Sequence, residues 1–154
     1  MSKTKKRKVA KPVEVWEGMT RARLDAIGKY FRWCADTLNL RDWMIVVSHA
    51  SLAPDDDALA CVDATYGRRH ATITLSWNFA GLTREEQRHV IVHELVHLLL
   101  EPGMARLRKA LPQTVGEQTA QVILESVRLD NEYAVDGITD MLAKTFPLPK
   151  GTTR

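Results

Sequence analysis

One stretch of the chain, HVIVHELVHLLLEP from His89 to Pro102, restricts its folding more than any other. Apolar residues surround His93, Glu94 and His97 on all sides, so the segment belongs in a core and is long enough for a helix. A helix start is written just before it. Thr83 and Glu86 in "TREE" have the spacing of a capping box, and Pro102–Gly103 in "EPG" predicts an end near Leu100. Residues four apart in a helix stack on one face, so His93 and His97 present two imidazoles side by side. Glu94 points about 100° further round. A helix that merely tolerates these histidines must also bury a glutamate among Ile91, Val92, Leu95, Val96, Leu98 and Leu99. Without a partner that carboxylate costs several kcal/mol.

A metal ion removes the conflict. Two imidazoles at this spacing converge on one ion, and Zn²⁺ takes histidine nitrogen at about 2.0–2.1 Å in tetrahedral sets. Glu94, off the line of the two ligands, can reach a water at such a site, which is where a general base for hydrolysis belongs. By chance, a chain of this composition contains H-E-x-x-H about one time in a hundred. The metal reading is therefore preferred to that of core histidines.

A catalytic zinc keeps three protein ligands and one open position. His49 and His70 lie near strand ends and are candidates for the third. His89 is one turn before His93, and three histidines along one helix cannot converge, so a supporting role is expected of it. "HELVHLLLEPGMA" has Leu100 and Gly103 where the metzincin pattern needs glycine and histidine, which argues against that group. In "DNEYAVDGITDMLA", Glu132 and Asp136 share a helix face, one able to ligate a metal and the other to accept a hydrogen bond from a ligand histidine. A solvated acidic face accounts for them equally well, and Glu125 is the next candidate.

The remaining elements follow from periodicity. Thr20 is the expected N-cap of a first helix with Leu24, Ile27, Phe31, Cys34 and Leu38 on its apolar stripe, Trp33 widening that face, and an end near Asn39. "WMIVVSH" (Trp43–His49) reads as a buried strand and "LAPDDD" as a loop. "ALACVDATY" and "HATITLSW" read as two strands joined by a turn at Gly67. After "EPG" a basic connector is expected, then helix from about Gln113 to Phe146, whole or broken near Asp130 or Gly137. The class is α+β: an N-terminal helix, a small, mostly antiparallel sheet of about three strands, the helix with the histidines, and C-terminal helix or helices.

At 154 residues the chain suits one domain, expected over 16–146, with a disordered basic arm over 1–15 and a flexible tail over 147–154. Much of the net charge of +3 sits in that arm. Lys3, Lys5, Lys6, Arg7 and Lys8 offer a weak nucleic-acid contact, although a solubilising tail explains them as well. Two cysteines outside any C-x-x-C pair, no secretory signal and no apolar run of roughly 20 residues point to the cytoplasm and away from a membrane.

"VIVHELVHLLL" preceded by "ATITLSW" resembles the zincin metallopeptidases, and "NEYAVD" is similar to the N-E-x-x-x-D segment of the gluzincins related to thermolysin. The element order also resembles minimal zincins, including SprT-like proteins and small phage metallopeptidases. The resemblance spans roughly Trp43 to Leu142. It implies a zincin-like fold, a Zn²⁺ cofactor held by His93, His97 and Glu132, Glu94 as base and Asp136 supporting a ligand histidine. A protein or peptide substrate is implied, with "ATITLSW" lining the cleft and pairing with it by β-augmentation. The chain departs from both groups: it has no room for the large C-terminal domain of thermolysin, and no third histidine follows His97 as in SprT-like proteins. Tyr66, Arg68 and Tyr133 are the candidates for stabilising an oxyanion. Two other functions compete with a peptidase: a zincin-fold binding module without catalysis, and a protease recruited to DNA by the basic arm.

Overall fold

The computed structural model describes residues 19–49 and 58–152. The basic arm with Lys3, Lys5, Lys6, Arg7 and Lys8, and the "LAPDDD" loop, lie outside the described residues. The fold is α+β, in the order α1 (Arg21–Thr37), β1 (Met44–His49), β2 (Ala60–Thr65), β3 (His70–Leu75), α2 (Arg84–Val115) and α3 (Glu117–Ala143), with short 3₁₀ turns at Tyr66–Arg68 and Trp77–Gly81.

Helix α1 begins and ends as its residues dictate. Thr20 caps it by accepting from the Arg23 N–H at 3.2 Å. Asn39 takes the left-handed conformation (φ 59°) that a C-terminal turn needs and that asparagine tolerates. Leu40 N–H then bonds back to the Ala35 carbonyl at 2.8 Å, and Asn39 N–H to Asp36 at 3.2 Å, closing a Schellman motif. Ile27, Phe31 and Cys34 are buried, whereas Trp33 is 44 % exposed and lies edge-on to Phe146.

The sheet has the order β1-β3-β2 and is mixed. β2 and β3 pair antiparallel, as expected, but β1 runs parallel to β3. The residue registers put Ile45, Val47, Val62, Ala71, Ile73 and Leu75 on one face, which meets the core. Met44 and Val46 alternate to the other face and are exposed, so β1 is a half-buried edge strand and not the fully buried strand that its composition implied.

Helix α2 starts with the expected capping box: Thr83 N–H donates to Glu86 Oε2 at 2.7 Å, and the Thr83 hydroxyl oxygen accepts from the Glu86 N–H at 3.3 Å. Its end is a correction. The helix does not stop at "EPG" but runs through Pro102 and Pro112 to Val115, so the expected connector is helical. Pro102 removes the N–H that would bond the Leu98 carbonyl, at a cost of roughly 3 kcal/mol. "MARLRKAL" then supplies strong helix formers, and α3 packs alongside. The turn is Gly116, whose φ of 82° and ψ of 157° suit glycine alone. Helix α3 passes unbroken through Asp130 and Gly137. Gly137 in a helix interior costs about 1 kcal/mol relative to alanine.

The end of the described chain is a second correction. Residues 147–152, expected to open a flexible tail, are bound down by side-chain donors. Arg23 Nε and Nη2 donate to the Thr152 carbonyl at 2.8 and 2.6 Å, Arg84 Nε to Pro149 at 2.6 Å, and the Tyr30 hydroxyl to Pro147 at 2.6 Å. Pro149 and Thr152 are buried as a result.

One core joins α1, the inner sheet face and the buried side of α2 through Phe31, Ile73, Phe79, Ile91 and Leu95. Phe79, fully buried in the turn before α2, closes it. Phe79→Ala is expected to lose about 3–5 kcal/mol of unfolding free energy. Urea denaturation followed by far-UV circular dichroism measures this, and a loss under about 1 kcal/mol would remove Phe79 from the closing role. Among the described residues no helix is long and apolar enough to cross a membrane.

Candidate metal centre

Helices α2 and α3 lie antiparallel, and their polar residues meet in a ladder with one rung per turn. His89 Nε2 is 3.0 Å from Asp140 Oδ1, and His93 Nδ1 is 3.2 Å from Asp136 Oδ1. His97 Nε2 is 3.5 Å from Glu132 Oε2. Each step of four residues along α2 is matched by four residues back along α3, which requires the reversal at Gly116.

The lower rungs converge. His93 Nε2 and His97 Nε2 stand 3.0 Å apart, and Glu132 Oε2 is 3.9 Å from the first and 3.5 Å from the second. Donors held about 2.0–2.1 Å from one tetrahedral ion stand roughly 3.3–3.5 Å from one another, close to these three separations. Among the described residues, His93, His97 and Glu132 are the group of His, Cys, Asp and Glu side chains able to hold a metal. The donor set fits a metal in its chemistry too: two imidazoles and a carboxylate are a zinc ligand set. Burial lowers the pKa of both histidines against the opposing pull of Glu132 and Asp136, so both favour the neutral, ligating form.

Asp136 occupies the position expected of a supporting carboxylate. A proton on His93 Nδ1, facing Asp136, would leave Nε2 with its lone pair towards the other two donors. His89 is not part of the convergence and pairs with Asp140 instead.

Glu94 is 6 % exposed and lines the cleft beside the two histidines. Burial first, and the nearby Glu132 charge second, push its pKa up to about 7. Among the described residues no cationic side chain offsets that rise, so a cation in front of Glu94 would be its compensating charge.

The other candidates fall away. Glu125 is exposed and forms a two-point pair with Arg128, at 3.0 and 2.8 Å. His49 and His70 remain in the sheet, apart from the converging donors. Tyr133 is 77 % exposed, and neither it nor Arg68 lines the cleft. The Tyr66 side chain lies outside what is described.

The cleft itself, about 570 Å³, contradicts one expectation. β3, the "ATITLSW" strand, is central and has both edges paired, so it cannot add a peptide. The strand along the cleft is β2, whose residues from Ala60 to Ala64 form one wall and whose outer edge is unpaired by any described strand. Beyond His97 the cleft reaches Glu101, Met104, Arg108, Arg128 and Asn131, none of which sequence reasoning singled out. Arg128 had a signal: it sits four residues before Glu132, on the same helix face.

Compared with protein-family models, with curated proteins and with solved structures, the chain matches none.

Proposed function

We propose that this protein is a zinc-dependent metallopeptidase of the zincin type, with His93, His97 and Glu132 as ligands and Glu94 as general base. The observation that carries the reading is the convergence of three zinc-type donors beside a buried carboxylate that no cationic side chain among the described residues compensates. Zn²⁺, when bound, supplies Lewis-acid polarisation of a substrate carbonyl and lowers the pKa of water to about 7. A Glu94 carboxylate oxygen takes the proton of the attacking water and delivers it to the leaving amine. Asp136 holds the His93 ring in its ligating tautomer. The outer edge of β2, unpaired by any described strand, offers backbone N–H and C=O groups to an extended peptide, which supports a peptide over a compact small molecule as substrate. Two free thiols, Cys34 and Cys61, support a reducing, cytoplasmic setting.

The test is metal content and hydrolysis of an unfolded protein, measured on the same preparations of wild type and Glu94→Gln. The supporting carboxylate gives a second measurement. Asp136→Ala is expected to weaken zinc affinity by about 10–100-fold, read by competition with a chromogenic chelator. Unchanged affinity would leave Asp136 as a surface acid.

A further inference from the structure

Most of the apolar surface that the protein exposes on helices belongs to α3, and it is ordered. Leu129, Tyr133, Gly137 and Met141 follow one another at four-residue steps, forming one ridge along the helix. Leu129 is 49 %, Tyr133 77 % and Met141 68 % exposed. Gly137 makes a notch in the middle of the ridge, and a Cβ placed there would meet nothing within 4 Å. Packing inside the protomer therefore gives no reason for a glycine at a helix-interior position. Close approach of another backbone would give one. The ridge lies about 100° around the helix from Glu132 and Asp136, each of which immediately precedes one of its members. None of its four residues lines the cleft.

We infer that this ridge is the contact face of a homodimer, in which α3 of one copy crosses α3 of a second, antiparallel, with the twofold axis at Gly137. The ridge is complementary to itself about that point. Four residues to either side, Tyr133 meets the partner's Met141, pairing an aromatic ring with a thioether. Seven residues to either side, exposed Asp130 meets the partner's exposed Lys144, and the twofold repeats both pairs. Neither Asp130 nor Lys144 forms an ion pair among the described residues. Charge and shape both select a second copy in the antiparallel sense, since a parallel pairing would oppose like charges. The metal-binding side of α3 stays open in such a dimer, so the inference stands or falls independently of the peptidase reading.

One helix face from each copy makes a small interface, so dissociation in the micromolar range is expected. The experiment is sedimentation equilibrium of the full chain up to about 200 µM, with far-UV circular dichroism and metal content as checks that each variant is folded. Wild type is expected to approach twice the chain mass of 17.4 kDa. Met141→Glu and Asp130→Lys should each weaken association at least about tenfold, whereas Asp130→Lys combined with Lys144→Asp should restore it, because the swapped charges again face each other. A wild type that stays monomeric throughout overturns the inference and leaves the ridge to a different protein. A dimer indifferent to all three variants also overturns it and places the contact elsewhere.

Discussion

Glu94→Gln is expected to keep its zinc and lose hydrolysis, with kcat falling by about 10²–10⁴-fold. The substitution is nearly isosteric, and His93, His97 and Glu132 are untouched. What disappears is the ability to accept a proton. Glu94 in the native chain is buried beside the histidines with its pKa raised by that burial to about 7. A carboxylate beside the histidines can accept a proton from water and release it to an amine. A glutamine amide does neither. Metal content by mass spectrometry and cleavage of an unfolded protein, with chelator controls, separate the outcomes. Zinc in both preparations with cleavage only in wild type is the expected result. Equal cleavage by both would remove Glu94 from the chemistry, and zinc in both with cleavage in neither would leave a binding module on a metal-stabilised scaffold.

Glu132→Ala should reduce zinc affinity by more than about 100-fold, while Glu125→Ala leaves it unchanged. The two glutamates lie on one helix seven residues apart, and their environments separate them. Glu132 Oε2 lies 3.5 and 3.9 Å from the two histidine nitrogens. Glu125 is already engaged by Arg128, and its pKa is lowered by that hydrogen bond at an exposed site. Losing one of three ligands leaves two imidazoles, too few to hold zinc against a chelator. Titration with a chromogenic chelator of known affinity reads both variants directly. Equal retention in Glu132→Ala and wild type would move the third ligand elsewhere and sink the proposed centre.

The central helix was legible because its signals are local. A capping box needs only residues three apart, and the facing of His93 and His97 needs only the helical repeat. The same holds for α1, where Thr20 and Asn39 mark both ends through bonds made within a few residues. Local rules failed where a distant surface outweighed them. Pro102 and Gly103 read as a stop, yet α2 continues for more than three turns because α3 lies against it. The tail from Pro147 has no periodicity, yet arginines 64 to 129 residues away hold its carbonyls.

From the sequence alone came the pair of imidazoles, the glutamate beside them and the short list of carboxylates that could complete the set. Each follows from spacing along one helix. Sequence ranked Glu132 ahead of Glu125 but could not place either opposite the histidines, because that depends on how far α2 extends before Gly116 reverses the chain. It also could not tell which strand edge borders the cleft. Strand order is settled by pairing between segments far apart in sequence, and that pairing puts β3 in the middle and leaves β2 beside the histidines. Residue types at fixed spacing determined the chemistry on offer. Where the helices turn back and how the strands pair determined which residues could meet to use it.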